Sequence, residues 1–147
     1  MKSWPTVHMI LMLLLLSACE QGGQNEAGTS VDLKLGQALE GSWNLVNISG
    51  GFAGIDQDIE AGEVLWTFDR QLSMLTIEKR QEPEAPFGGL PSGAYSYSLL
   101  PMDGKLYLIV DGAEEGEIFL QEGQLVLDGN SRSEGSGADL FVFIFQR

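Results

Sequence analysis

The chain has 147 residues, 21 of them acidic against 8 basic, giving a formal charge of −13. Hydrophobic residues make up 44% and charged residues 20%, which excludes a wholly disordered chain and suits one domain rather than two sizeable cores. The acidic balance argues against nucleic acid as a partner, because a phosphate backbone is held by clustered Lys and Arg, and it disfavours electrostatic docking on an anionic membrane.

Lys2 gives a positive start, and residues 9–16 (MILMLLLL) form an unbroken apolar run of eight. A helix needs about 20 apolar residues to cross a bilayer, so this run reads as the core of a secretory signal. Leu16-Ser17-Ala18-Cys19 follows at once. The tetrad resembles the lipobox of bacterial lipoproteins, in which the cysteine is lipidated on sulfur and the chain is cut just before it. The resemblance implies a signal peptide over residues 1–18, a diacylglyceryl cysteine with palmitate-type chains at Cys19, and a membrane anchor in the cell envelope. Several acyl chains on one residue anchor stably where a single chain is marginal. Glu20, in place of the aspartate that marks inner-membrane retention in such proteins, implies the outer membrane in a Gram-negative host.

Processing would remove His8, the only histidine, and leave Cys19, the only cysteine, acylated. That excludes disulfides within one chain, Ser-His-Asp or Cys-His catalysis, and zinc sites built on His or Cys. No catalytic residue, metal or cofactor is therefore expected, and the protein is read as a non-enzyme.

Residues 19–36 are polar and rich in Gly, Gln and Glu, and are expected to be a lipidated flexible tether. Val31, Leu33 and Leu35 alternate with polar residues, so the end of the tether is expected to add a short strand or turn, while residues 36–39 can start a helical turn. The domain proper is expected over 37–147. Eight short apolar stretches follow: 42–48, 63–69, 73–79, 93–99, 105–110, 116–121, 124–127 and 139–146. Short strands at this spacing, punctuated by turn residues, predict an all-β barrel or sandwich. Asp103-Gly104, Asp111-Gly112 and Glu122-Gly123 each offer a two-residue hairpin turn, and hairpins pair neighbours in sequence. The expected fold is an eight-stranded antiparallel up-and-down barrel, whose closure removes exposed edges.

In the last stretch Phe141, Phe143 and Phe145 share one face and Leu140, Val142 and Ile144 the other. One face is expected inside the barrel and the other covered by the tether, a loop or a partner. At Gly41-Ser42-Trp43, with Phe143-Ile144-Phe145-Gln146-Arg147 at the far end, the chain resembles a small lipocalin-like domain of the calycin group. Gly93-Ala94-Tyr95 is similar to a strand start common in such lipoprotein domains. The resemblance spans about residues 39–147 and implies that Arg147 stacks on Trp43 to close one end of the barrel.

Trp66, Phe68, Tyr95, Tyr97, Tyr107 and Phe143 are the candidate lining of a pocket for a small apolar or amphipathic ligand, with tyrosine hydroxyls to orient it. The alternative is that they only fill the barrel. The glycine-rich run 50–54 lacks the lysine of a phosphate cradle, and with Asp56, Asp58, Glu60 and Glu63 it reads as a mobile acidic rim loop. Asp128-Gly129-Asn130 departs from a calcium loop at Arg132 and Ser133, and the acids 114–117 read as a solubility feature. In the loop 80–91, Phe87 and Leu90 are apolar within a polar segment and serve either a lid or partner-binding finger, or a plug for the barrel end. Two functions remain open: a ligand-binding barrel, and a tethered module that contacts another envelope protein through its loops.

Overall fold

Apolar side chains at every second position, interrupted by tight turns, set the architecture. The computed structural model describes residues 34–81 and 89–147. Residues 34–39 are helical, and nine strands follow: β1 (Gly41–Gly50), β2 (Ile55–Asp58), β3 (Val64–Asp69), β4 (Met74–Lys79), β5 (Gly93–Met102), β6 (Lys105–Val110), β7 (Ala113–Gln121), β8 (Gln124–Asp128) and β9 (Phe141–Gln146). Each neighbouring pair is antiparallel, and β9 returns to pair with β1 from Asn44↔Gln146 to Gly50↔Phe141. Eight strands thus close into an up-and-down barrel, with β2 as one strand more.

The extra strand corrects the expectation of a mobile rim loop. β1 pairs with β3 over Gly41–Asn44 and with β2 over Asn47–Gly50, both on the edge opposite β9. β2 and β3 are therefore two halves of one line, broken at residues 59–63, where Ile59 N–H still donates to Val46 C=O at 2.9 Å. The reversal before β2 depends on glycine. Gly50 has φ +114°, and a Cβ there would lie 2.5 Å from Leu140 O.

Three of the connections are two-residue turns with both residues at positive φ: Asp103-Gly104 (52° and 75°), Asp111-Gly112 (47° and 82°) and Glu122-Gly123 (53° and 82°). These are the values a type I′ hairpin requires. The inner face carries Trp43, Leu45, Trp66, Phe68, Leu75, Ile77, Leu108, Ile118, Leu125, Leu127 and Phe145, and no polar or charged side chain is buried among the described residues. Fully burying one such side chain contributes about 1.5–3 kcal/mol. Val142 and Ile144, on the outer face of β9, are half-buried beside Asp128, Val126, Ser49 and Asn47 of the flanking strands.

The two ends of the barrel differ. One receives the helical residues 34–39, whose Leu35 and Leu39 are buried in the core one helical turn apart. This replaces the strand or turn expected from the alternation through Leu35; Val31 and Leu33 lie outside the described residues. The other end carries the long connections 51–63, 80–92 and 129–140.

Candidate functional site

Inside the barrel, β3, β5 and β9 bring an aromatic cluster together. Trp66 lies 6.2 Å from Phe68 and 5.0 Å from Phe145, and Phe68 meets Tyr97 edge-on at 5.2 Å. Burial, and then the charge of Glu40, hold the Tyr97 phenol above its ordinary pKa. Trp66 is 3% exposed, and its Nε1–H has no acceptor within reach. A buried donor left unmade costs about 1–3 kcal/mol.

Tyr95 and Phe143 stand nearer the long-loop end, half-buried and packed against the core with Phe141, Ile59 and Leu90. The Tyr95 hydroxyl donates to Pro91 C=O at 2.8 Å, which ties the strand to the loop before it. A Cβ on Gly89 would touch the Phe143 ring at 3.4 Å, so the end of this loop lies against the barrel mouth. Leu90 thus acts as a plug; Phe87 lies outside the described residues. Tyr107 is not brought to this group. It is buried, but on the face of β6 opposite Leu106, Leu108 and Val110, in register with Glu117.

At the helical end, the guanidinium of Arg147 stands 4.6 Å from the Trp43 ring and donates to Ala38 C=O and, at 3.0 Å, to Glu40 C=O. Trp43 Nε1–H donates to Leu39 C=O at 2.9 Å. Those carbonyls at the end of the helical segment have lost their intrahelical partners, and a cation over the indole satisfies them while covering the ring. This arrangement covers the Trp43 ring and caps the end of the helical segment.

The acidic segments have structural partners. Asn47 Nδ2 donates to Asp56 at 2.9 Å and to Asp58 at 3.0 Å. Glu114 accepts from both the N–H and hydroxyl of Ser133, while Glu117 accepts from Lys105 and from Ser131, each at 2.7 Å. The acids 114–117 therefore pin the 129–140 connection to β7, a role their sequence did not disclose. Burial raises the Glu115 pKa, and Arg132 opposes that shift. Among the described residues, no group of three or more His, Cys, Asp or Glu is placed to hold a metal, and no helix is long and apolar enough to cross a membrane.

Sequence reasoning also missed a slot of about 420 Å³ between β6 and β7 at the helical end. It is formed where two paired strands part, and strand pattern does not announce where a ladder stops. Compared with protein-family models, with curated proteins and with solved structures, the chain matches none. Cys19 lies outside the described residues.

Proposed function

We propose that this is a non-catalytic, lipid-anchored envelope protein whose lipocalin-like barrel binds a small apolar or amphipathic molecule. The binding half rests on one observation: Trp66 Nε1–H, buried among aromatic rings with no acceptor. An apolar interior that holds this unsatisfied donor suits a mostly apolar ligand that carries one acceptor oxygen. Tyr95 and Phe143 flank the way in, and Leu90 covers it. The anchoring half rests on the leader and on Leu16-Ser17-Ala18-Cys19, which also supports an outer-membrane location in a Gram-negative host.

Native mass spectrometry of the protein taken from its own envelope tests the binding. A bound mass that leaves on denaturation is expected, and Trp66→Phe is expected to weaken its rebinding roughly two- to tenfold, the loss of one hydrogen bond. A protein at its bare mass, silent to apolar fluorescent probes, would rule the reading out. Labelled palmitate is expected in the wild type and absent from Cys19→Ala; label in neither would remove the anchor.

A second reading, a tethered module that contacts another envelope protein through its loops, is favoured by Phe52. It is 93% exposed at the tip of the turn before β2. A photoreactive group at position 52 that crosslinks one envelope protein in living cells would support it, and crosslinks to none would end it.

A further inference from the structure

The ladder between β6 and β7 runs from Val110↔Ala113 to Tyr107↔Glu117 and stops, although β6 extends to Lys105 and β7 to Gln121. Beyond that pair the strands part. The slot between them is walled by Leu35, Ala38, Leu106, Ile118, Phe119 and Leu120, with Lys34, Lys105 and Glu117 also lining it. Its volume of about 420 Å³ falls within the roughly 300–1,000 Å³ of small-molecule sites. We propose that it takes an acyl chain of an amphiphile with an anionic headgroup, the chain lying between the strands and the head at Lys34 and Lys105.

Charge selects the headgroup. Beyond Lys2 of the leader the chain has three lysines, and two of them line this slot. The Lys105 amine contacts Glu117 at 2.7 Å and Ser131 at 3.2 Å. Glu117 is therefore already matched, and Lys34 leaves the slot with a positive balance on a protein of charge −13. An anionic head is attracted there and repelled over most of the remaining surface.

Position agrees with this chemistry. Lys34 is the first described residue after Cys19, so the slot lies where the chain from Cys19 joins the barrel. The same end exposes Leu72 (71%), Leu120 (41%) and Met102 (37%) at or beside its turns. On the lipid-anchor reading, this apolar end faces the bilayer. The slot chemistry itself does not need that reading, and Trp66, Tyr95 and Phe143 of the aromatic cluster do not line it.

Photolabelling of the full-length mature protein in phosphatidylcholine proteoliposomes tests the site. One arm adds a free diazirine fatty acid, one builds diazirine-phosphatidylglycerol into the bilayer, and one adds an alkylammonium of equal chain length. Label is expected within residues 104–106 and 117–120 from an anionic probe and little from the cation. Filling the slot with Ala38→Trp should cut it roughly tenfold, a change of about 1.4 kcal/mol in binding. Lys34→Glu, a surface change that leaves folding intact, should cut it roughly two- to fivefold, as for loss of one exposed charge contact. Label from the free acid alone or from the bilayer lipid alone identifies the source, and either supports the site. Label confined to peptides holding Tyr95 or Phe143, equal label from the cation, indifference to both variants, or no label would overturn it. A ligand seen by native mass spectrometry and sensitive only to Trp66→Phe would leave the barrel-binding reading standing without the slot.

Discussion

The two ends of this barrel solve the same problem differently. The helical end closes with side chains: Leu39 is fully buried, Trp43 donates to its carbonyl, and Arg147 lies on the Trp43 ring. The long-loop end closes with backbone and turns. Gly116, at φ +144°, lets β7 pass so close to β8 that a Cβ would sit 2.2 Å from Asp128 O, and Glu114, Glu117 and Asn130 tie the 129–140 connection down by hydrogen bonds. Apolar burial is cooperative and independent of pH, whereas a closure made of carboxylates and bulges is sensitive to charge. The helical end is therefore the stable one, and the long-loop end is where an opening motion costs least.

Several substitutions sharpen this contrast. The largest expected effect is at the helical end: Leu39→Ala should cost about 2–5 kcal/mol, read as a lower denaturation midpoint at unchanged slope. Gly116→Ala should cost about 1–3 kcal/mol and be felt mainly at the long-loop end, with faster amide exchange in β7 and β8 than at residues 34–39. Equal exchange at both ends would show that the two ends do not differ in local stability. Arg147→Ala should cost about 0.5–1 kcal/mol, the scale of an exposed cation–π contact, and Arg147→Lys less, since an ammonium keeps a cation near the ring although it cannot stack and reach two carbonyls together.

The smallest effect concerns pH. Burial raises the pKa of Glu115 in the folded state, so this group opposes folding once it ionises. Its contribution is absent below the ordinary carboxylate value and grows unfavourable as pH rises through the raised one. Glu115→Gln should stabilise slightly near neutral pH and change nothing in acid. Melting temperatures across that range check it, and a variant that loses stability at neutral pH would show that the Arg132 interaction outweighs the burial.

The fold was readable because its signals are local. Period-two alternation and three Asp-Gly or Glu-Gly turns locate eight strands, and a meander of hairpins has few ways to arrange them. β2 escaped because Asp56, Gln57 and Asp58 give it no apolar face: it exists through backbone pairing with a β1 that runs on to Gly50. Of the candidate pocket residues, Trp66, Phe68 and Tyr97 meet inside, and Tyr95 and Phe143 stand at the mouth. Tyr107 falls outside because β6 is apolar on both faces, so alternation could not assign its inner side.

Sequence alone was enough for the strand count to within one, the hairpin turns and, through the resemblance to lipocalin-like domains, the pairing of Trp43 with Arg147. Tertiary structure decided what depends on distant segments meeting: the helical plug of Leu35 and Leu39, the unsatisfied Trp66 Nε1–H, the partners of the acids 114–117, and the slot where β6 leaves β7. A turn or a strand is encoded by residues a few positions apart. A cavity or an orphaned donor is defined by what fails to meet it, and that is fixed only when the whole barrel closes.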